Sequence, residues 1–445
     1  FDPISQADYY SLLSFFRGIE PYGQHKTGGG GRGTGRIERL LASRADVARW
    51  QEEQTRRIKH VEARLAAATD EEVKETVEAE LKQLHDEKPP FDSALAVSEI
   101  GGTPPVTHIL YRGDVSLPRE EVSPAFPAVF GVAAPQLSDS GEGATSSGRR
   151  RALADWIASP ENPLTSRVIV NRIWQHHFGV GLVPTPDDFG NAGLPATNQP
   201  LLDFLAAKFI ESGWRIKAMH RLIMTSIAYR QSSHAENTRA LEVDAENTFL
   251  WRQNMRRADA EVIRDTMLAV SGSLNPKQGG PSVFPTLSQD THGGQDTAGK
   301  GWQDSPADEQ NRRSIYLVVK RGLKVPFLES FDFANSTSPV GVRPVTTTAP
   351  QALMLLNDSF VHAQAEAFAA RVAREAGSEK GAQIARAFRL VLQRDPNPTE
   401  RTASENYLAD QRKLSFAEKG NDPDRDALTS FCRALLNINE MIYVD

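Results

Sequence analysis

Apolar residues recur at helical spacing along most of the chain, and proline and glycine take over where the spacing breaks down. After Ser5, the residues Tyr9, Leu12, Leu13 and Phe16 fall on one stripe, which predicts a short helix that Pro21 stops. Between 36 and 88 the pattern is highly charged. Ile37, Leu40, Val47, Ile58, Val61, Leu65 and Ala68 follow a heptad seam, interrupted by Arg44, Gln51 and Gln54. Thr69-Asp70-Glu71-Glu72 reads as a capping box with Thr69 as the cap. A second stripe, Val73, Val77, Leu81 and Leu84, then runs to Pro89-Pro90. Two helices joined this tightly predict an antiparallel αα-hairpin. Its narrow seam suits either an arm that binds a partner or a charged pair lying on its own domain.

The character changes at 91. Ala94–Ile100 and Val106–Arg112 are rich in β-formers, and Pro118, Pro124 and Pro127 after them predict extended chain without regular structure. Residues 133–148 read as a low-complexity linker. From 149 onward helices dominate: Arg150–Ala158, Leu164–Phe178, one opening at Pro200, Ile216–Tyr229, Asp259–Val270, one opened by the Thr348–Gln351 capping box, Phe360–Arg374, one capped by Asn397, and Ala427–Leu436. A long polar loop spans 275–311, and Ser314–Val319 reads as a strand. The expected fold is mainly α. It divides into an N-terminal end piece and glycine-rich linker (1–35), a helical hairpin (36–90), a small β-containing segment with linker (91–147) and a multi-helix C-terminal domain (148–445).

Composition narrows the function classes. With 445 residues, 39% hydrophobic and 24% charged, this is an ordinary soluble protein with a core, long enough for about two to four domains. No run approaches the ~18 apolar residues of a membrane span. The net charge of −6 gives no basic excess for a dedicated nucleic-acid binder. The single cysteine, Cys432, excludes an internal disulfide, a thiolate zinc cage and a covalent c-type haem made by this chain alone. A chain opening on Phe1 reads as a processed or excised piece.

Helix 164–178 carries the most unusual side chains. Arg167, Asn171 and Gln175 share one face, and Arg172 and His176 make a second pair beside it. Guanidinium, amide and imidazole groups in such rows suit a carboxylate, a sugar hydroxyl array or a haem propionate, and equally a salt-bridged surface. His176-His177 resembles a metal pair, but adjacent helical side chains diverge by about 100°. Other motifs read as structural. Gly28, Gly30 and Gly33 fit GxGxxG without the strand that a dinucleotide site needs. Arg112-Gly113-Asp114 reads as a strand end, and Asp187-Asp188 as a turn or cap. Asp290, His292, Asp296, Asp304, Asp308 and Glu309 lack calcium-loop spacing. Thr346-Thr347-Thr348, with Arg312 and Arg313 in reach, suits helix capping or an anion. There is no GxSxG or HExxH.

Several runs nevertheless form a recognisable series: VNRIWQHHFGVGLVPTPDDFG, LLDFLAAKFIESGWRIKAMHRLIMTSIAYRQSS, NRRSIYLVVKR, RPVTTTAPQALMLLNDSFV and LLNINEMIYVD. They resemble a planctomycete-specific domain of unknown function that forms the C-terminal half of planctomycete cytochrome c-like proteins. FDPISQADYYSLLSFF resembles the end of its companion, haem-associated domain. The family often carries a cysteine before the Arg-Pro-Val-Thr-Thr-Thr run; Asn335–Val342 here has none. The resemblance implies haem c on an upstream segment that is not covalently part of this chain, a haem-bearing segment or chain and a redox protein as partners, and a periplasmic or otherwise extracytoplasmic setting. It implies the C-terminal, haem-adjacent part of a c-type cytochrome in electron transfer or substrate oxidation. On that reading His176, Arg172, Arg167 and Asn171 face haem or substrate, and residues 1–16 pack on the 149–445 region. A non-catalytic scaffold and a carbohydrate-active oxidoreductase remain as alternative readings.

Overall fold

A computed structural model of the chain describes residues 2–20, 38–99, 101–137, 146–287 and 302–444. The expected fold class is correct: helices dominate, and the sheets among the described residues are two-stranded. The chain divides into two compact units, Phe1–Thr165 and Ser166–Asp445. The glycine-rich run Gly28–Gly33 lies outside the described residues.

In the first unit, α1 (Gln6–Ser14) starts where expected. The Asp8 N–H donates to Ser5 Oγ at 3.0 Å, and the Ser5 N–H donates to the Asp8 carboxylate at 2.9 Å. The other Asp8 oxygen accepts from the Ala128 N–H at 2.9 Å, which ties α1 to a distant turn. The hairpin forms from α2 (Arg44–Ala67) and α3 (Glu71–Asp86). Its seam is the narrow one expected: Val61, Val77 and Leu84 are buried, flanked by Ile58, Leu65 and Leu81. Gln54, an interruption of that seam, is buried and donates to the Leu84 carbonyl. Arg64–Glu80 at 3.0 Å and Arg57–Glu87 at 2.9 Å link the two helices along their edges. At the base, β2 (Glu38–Leu40) pairs antiparallel with β3 (Ser93–Leu95). The cap is corrected by one residue. Asp70, not Thr69, is the N-cap of α3, and its carboxylate accepts from the Glu72 N–H at 2.9 Å. Two adjacent capping residues compete here, and a carboxylate at a helix N-terminus also gains from the helix dipole.

The proline-rich stretch also differs from expectation. Pro118 opens β6 (Pro118–Val122), which pairs antiparallel with β5 (Thr107–Leu110). Proline is tolerated as the first residue of an edge strand, because no partner there needs its missing N–H. Arg112 and Gly113 form the tight turn that ends β5, with φ of 49° and 80°. The core of this unit is an aromatic stack. Phe15 lies on Phe126 with ring centroids 5.5 Å apart, and Phe126 on Trp156, from α4 (Arg149–Ile157), at 4.5 Å. The N-terminal residues therefore pack on the β5–β6 hairpin and on α4. Leu13 and Phe16 are exposed, because α1 presents only one face to the hairpin.

The second unit holds two cores. One joins α5 (Thr165–Phe178), α6 (Gln199–Glu211) and α7 (Ile216–Met224) through Val170, Phe178, Leu202, Phe209 and Met219. The other joins α9 (Ala260–Ser271) to helices Ser359–Ala376, Lys380–Leu392, Pro398–Ala417 and Pro423–Leu435. Helix Lys380–Leu392 is additional to the helices expected from the sequence, and Ile384, Ala387, Phe388 and Val391 form its buried stripe. β7 (Arg256–Arg257) pairs antiparallel with β8 (Tyr443–Val444), so the end of the chain closes onto its middle. The strand expected at Ser314–Val319 is instead a single 3-10 turn, Ser314–Tyr316, followed by an isolated bridge between Val283 and Leu317. Two buried arginines take the backbone bonds that a ladder would use. Arg264 donates to the Gln310 and Arg312 carbonyls at 2.7 and 3.0 Å. Arg312, fully buried, donates to the Lys277 and Gly279 carbonyls and lies 4.0 Å over the Tyr316 ring.

Two outcomes follow. Asp70→Ala lowers hairpin stability by about 0.5–2 kcal/mol, while Thr69→Ala leaves it nearly unchanged, as read by chemical denaturation. Phe15→Ala, which empties a fully packed site, costs about 3–5 kcal/mol in the same measurement.

Candidate functional site: an arginine-lined cleft

Helix α5 distributes its polar residues over several surroundings. Asn171 is fully buried: its Nδ2 donates to the Val183 carbonyl at 3.0 Å, and its Oδ1 accepts from the Val183 N–H at 2.8 Å. It fastens the chain that leaves the helix and presents nothing to a ligand. Gly181 is part of that fastening, since a Cβ there would meet the Asn171 amide at 2.7 Å. Arg167 points toward α6 and pairs with Asp203 at 2.7 Å. The reading of both as ligand-facing is therefore corrected: one amide and one guanidinium of the expected row are consumed in packing the helix. Arg172, Gln175 and His176 do converge, on a cleft of about 740 Å³ in the second unit. That size suits a small-molecule site.

The opposite walls come from elements that the sequence did not connect to α5. β7 supplies Arg256 and Arg257, the start of α9 supplies Asp259, and the segment 334–345 supplies Gly341 and Arg343. Each is held firmly. The Gln175 Nε2 donates to the Gly341 carbonyl at 3.1 Å. Gly341 admits no side chain, because a Cβ would lie 2.2 Å from the Asp187 carboxylate. Arg343 grips Glu261 with two hydrogen bonds, at 2.8 and 3.0 Å. Arg256 donates to the His176 carbonyl at 2.8 Å.

Arg257 is the innermost. Its side chain is 4% exposed and pairs with Asp332 at 2.6 Å. Asp332 in turn accepts from the Thr346 N–H and hydroxyl at 2.9 Å. Burial alone would raise the Asp332 carboxyl, but the Thr346 N–H and Arg257 outweigh it and hold it below the usual range. The Thr346–Thr348 run is thus spent on structure: Thr346 on Asp332, and the Thr348 N–H on Gln351 at 3.2 Å. One guanidinium in the cleft is uncommitted: Arg172 makes no hydrogen bond or ion pair with any described residue, whereas the Arg257 Nε, also without a partner, is fully buried behind the cleft wall.

The two histidines diverge as their adjacency requires. His176 stands at the cleft wall. Partial desolvation pushes its imidazole below the usual value; Asp259 opposes this, while Arg172, Arg343 and Arg256 reinforce it. His177 turns away to His220, with Nε2 and Nδ1 at 2.8 Å, and its edge meets Tyr229. Asp188 accepts from the Gly190 N–H in a turn, and Glu309 pairs with Lys277 and Arg312. Asp290, His292 and Asp296 lie outside the described residues. Among the described residues no group of three or more His, Cys, Asp or Glu is placed to hold a metal. Cys432 is buried, and burial pushes its thiol far above the ordinary range.

Asn171→Ala should destabilise the second unit by about 1–3 kcal/mol for each Val183 group it orphans, read by denaturant titration. For His176, the folded pKa lies below the unfolded value of about 6.5. The unfolded chain therefore binds more protons as the pH drops through that value, and His176 costs the fold stability only on the acid side. An NMR titration should place its midpoint below that of an unfolded histidine.

A family model described as PSD1, protein of unknown function (DUF1553), matches residues 149–408, a stretch that contains α5, β7 and the 334–345 wall. No curated protein and no solved structure matches the chain. Because the match covers more than half of its length, the chain belongs to the PSD1 family of proteins of unknown function.

Proposed function

We propose that this chain is the C-terminal part of an extracytoplasmic c-type cytochrome-like protein. In this reading its second unit receives the molecule that the haem-bearing part oxidises. The observation that carries the substrate-binding role is Arg172, a guanidinium that lines the cleft and pairs with no described residue. An anionic acceptor brought into the cleft gives it the charge-assisted hydrogen bond that the fold does not. The cytochrome setting rests on the resemblance of the sequence runs, as do the redox-protein partner and the periplasmic setting.

Haem c itself does not fit on this chain. Covalent attachment needs a cysteine pair, and Cys432 stands alone inside the helical core. This chain's residues bind and orient, with Arg172 and Arg256 donating and His176 at the cleft wall. The test is a reduced-minus-oxidised absorption spectrum of the full-length protein isolated from its source cells. Haem c bands are expected; a protein without any haem absorption would overturn the cytochrome reading.

A further inference from the structure

The charges of the cleft are mixed, and the mixture narrows what it can hold. Arg343 is neutralised by Glu261, and Arg257 by Asp332. What remains for a ligand is Arg172 and the uncommitted part of Arg256 on the cationic side. Glu246 and Asp259 remain on the anionic side. Glu246 makes no bond with any described residue, and Asp259 only approaches Arg343 at 4.0 Å. A phosphate or other polyanion would meet two carboxylates in the same small space. A neutral sugar would leave the two guanidiniums without charge-assisted partners. A molecule with one carboxylate and several hydroxyls satisfies both sides: its carboxylate accepts from the arginines, and its hydroxyls donate to the carboxylates.

We infer that the cleft recognises a hydroxylated monocarboxylate of the sugar-acid class, held at its carboxylate by Arg172 and Arg256 and at its hydroxyls by Glu246 and Asp259. This names the substrate class of the binding reading above and rests on it, but not on the haem. His176, kept neutral by its surroundings, adds a hydrogen bond without adding charge. The bidentate fork of a guanidinium matches a planar carboxylate, which a lysine ammonium would meet only as a point charge.

The test is isothermal titration calorimetry of the whole chain at pH 7.5 with D-glucuronate, D-glucose, acetate and inorganic phosphate. D-Glucuronate should bind, acetate about tenfold more weakly or worse, and glucose and phosphate without measurable heat. Arg172→Ala should weaken glucuronate about tenfold or more at an unchanged melting temperature, since Arg172 holds nothing in the fold. Glu246→Gln should weaken glucuronate while leaving acetate unchanged, a split that a merely structural role would not produce. The inference is overturned if glucuronate gives no binding, if phosphate binds as tightly, or if Arg172→Ala binds glucuronate like the parent chain. Glucuronate binding by a protein whose full-length form carries no haem would overturn the cytochrome reading and leave this inference standing. A haem protein without glucuronate binding would do the reverse.

Discussion

The ion pair between Arg257 and Asp332 sets the geometry of the cleft. Each charge is largely out of water, with side chains 4% and 15% exposed. Such a pair stabilises only when its remaining hydrogen-bonding capacity is met. Here Thr346 donates twice to the carboxylate, and Arg257 donates to the Phe331 and Thr346 carbonyls. Asp332 sits at φ 61°, a left-handed conformation that aspartate tolerates better than most side chains. Through this one contact β7 is fixed to the chain on both sides of segment 334–345. The two ends of the cleft's outer wall are then set, and Gln175 holds its middle through the Gly341 carbonyl.

The same device recurs in the neighbouring part of the unit. Arg264 and Arg312 are buried in place of aliphatic side chains and donate to backbone carbonyls of 277–279 and 310–312. Desolvation lowers the Arg264 pKa to about 10, which still leaves it charged at neutral pH. These guanidiniums hold irregular chain that carries no sheet ladder of its own. The family match runs across both arginine sites, so the part of the chain that identifies the family is also the part whose loops are organised by buried charge.

Local chemistry was legible and distant pairing was not. Ser5 and Asn397 cap their helices as the sequence suggested, since a cap and its partner lie three residues apart. The divergence of His176 and His177 followed from helix geometry alone. The hairpin was readable from two stripes and a cap, although the cap moved from Thr69 to Asp70 because side-chain preference between adjacent residues is small. Arg172 and His176, four apart on α5, line the same cleft, whereas Asn171 and Arg167 were not separable from them by spacing. Their true partners, Val183 and Asp203, appear only once the chain has folded. Arg257 and Asp332 are 75 residues apart, and nothing near either one announces the other. The residues around the site that came from periodicity were therefore found, and those that came from tertiary pairing were missed.

The central claim is that the Arg257–Asp332 pair organises the cleft. A double-mutant cycle with Arg257→Met and Asp332→Asn, read as unfolding free energies, tests it most directly, because asparagine keeps the left-handed backbone accessible while removing the charge. The account predicts that each single change is strongly destabilising, about 3–5 kcal/mol for breaking a buried pair, and that the double change costs less than the sum by more than about 1 kcal/mol. Single effects that add to within about 0.3–0.5 kcal/mol would contradict it.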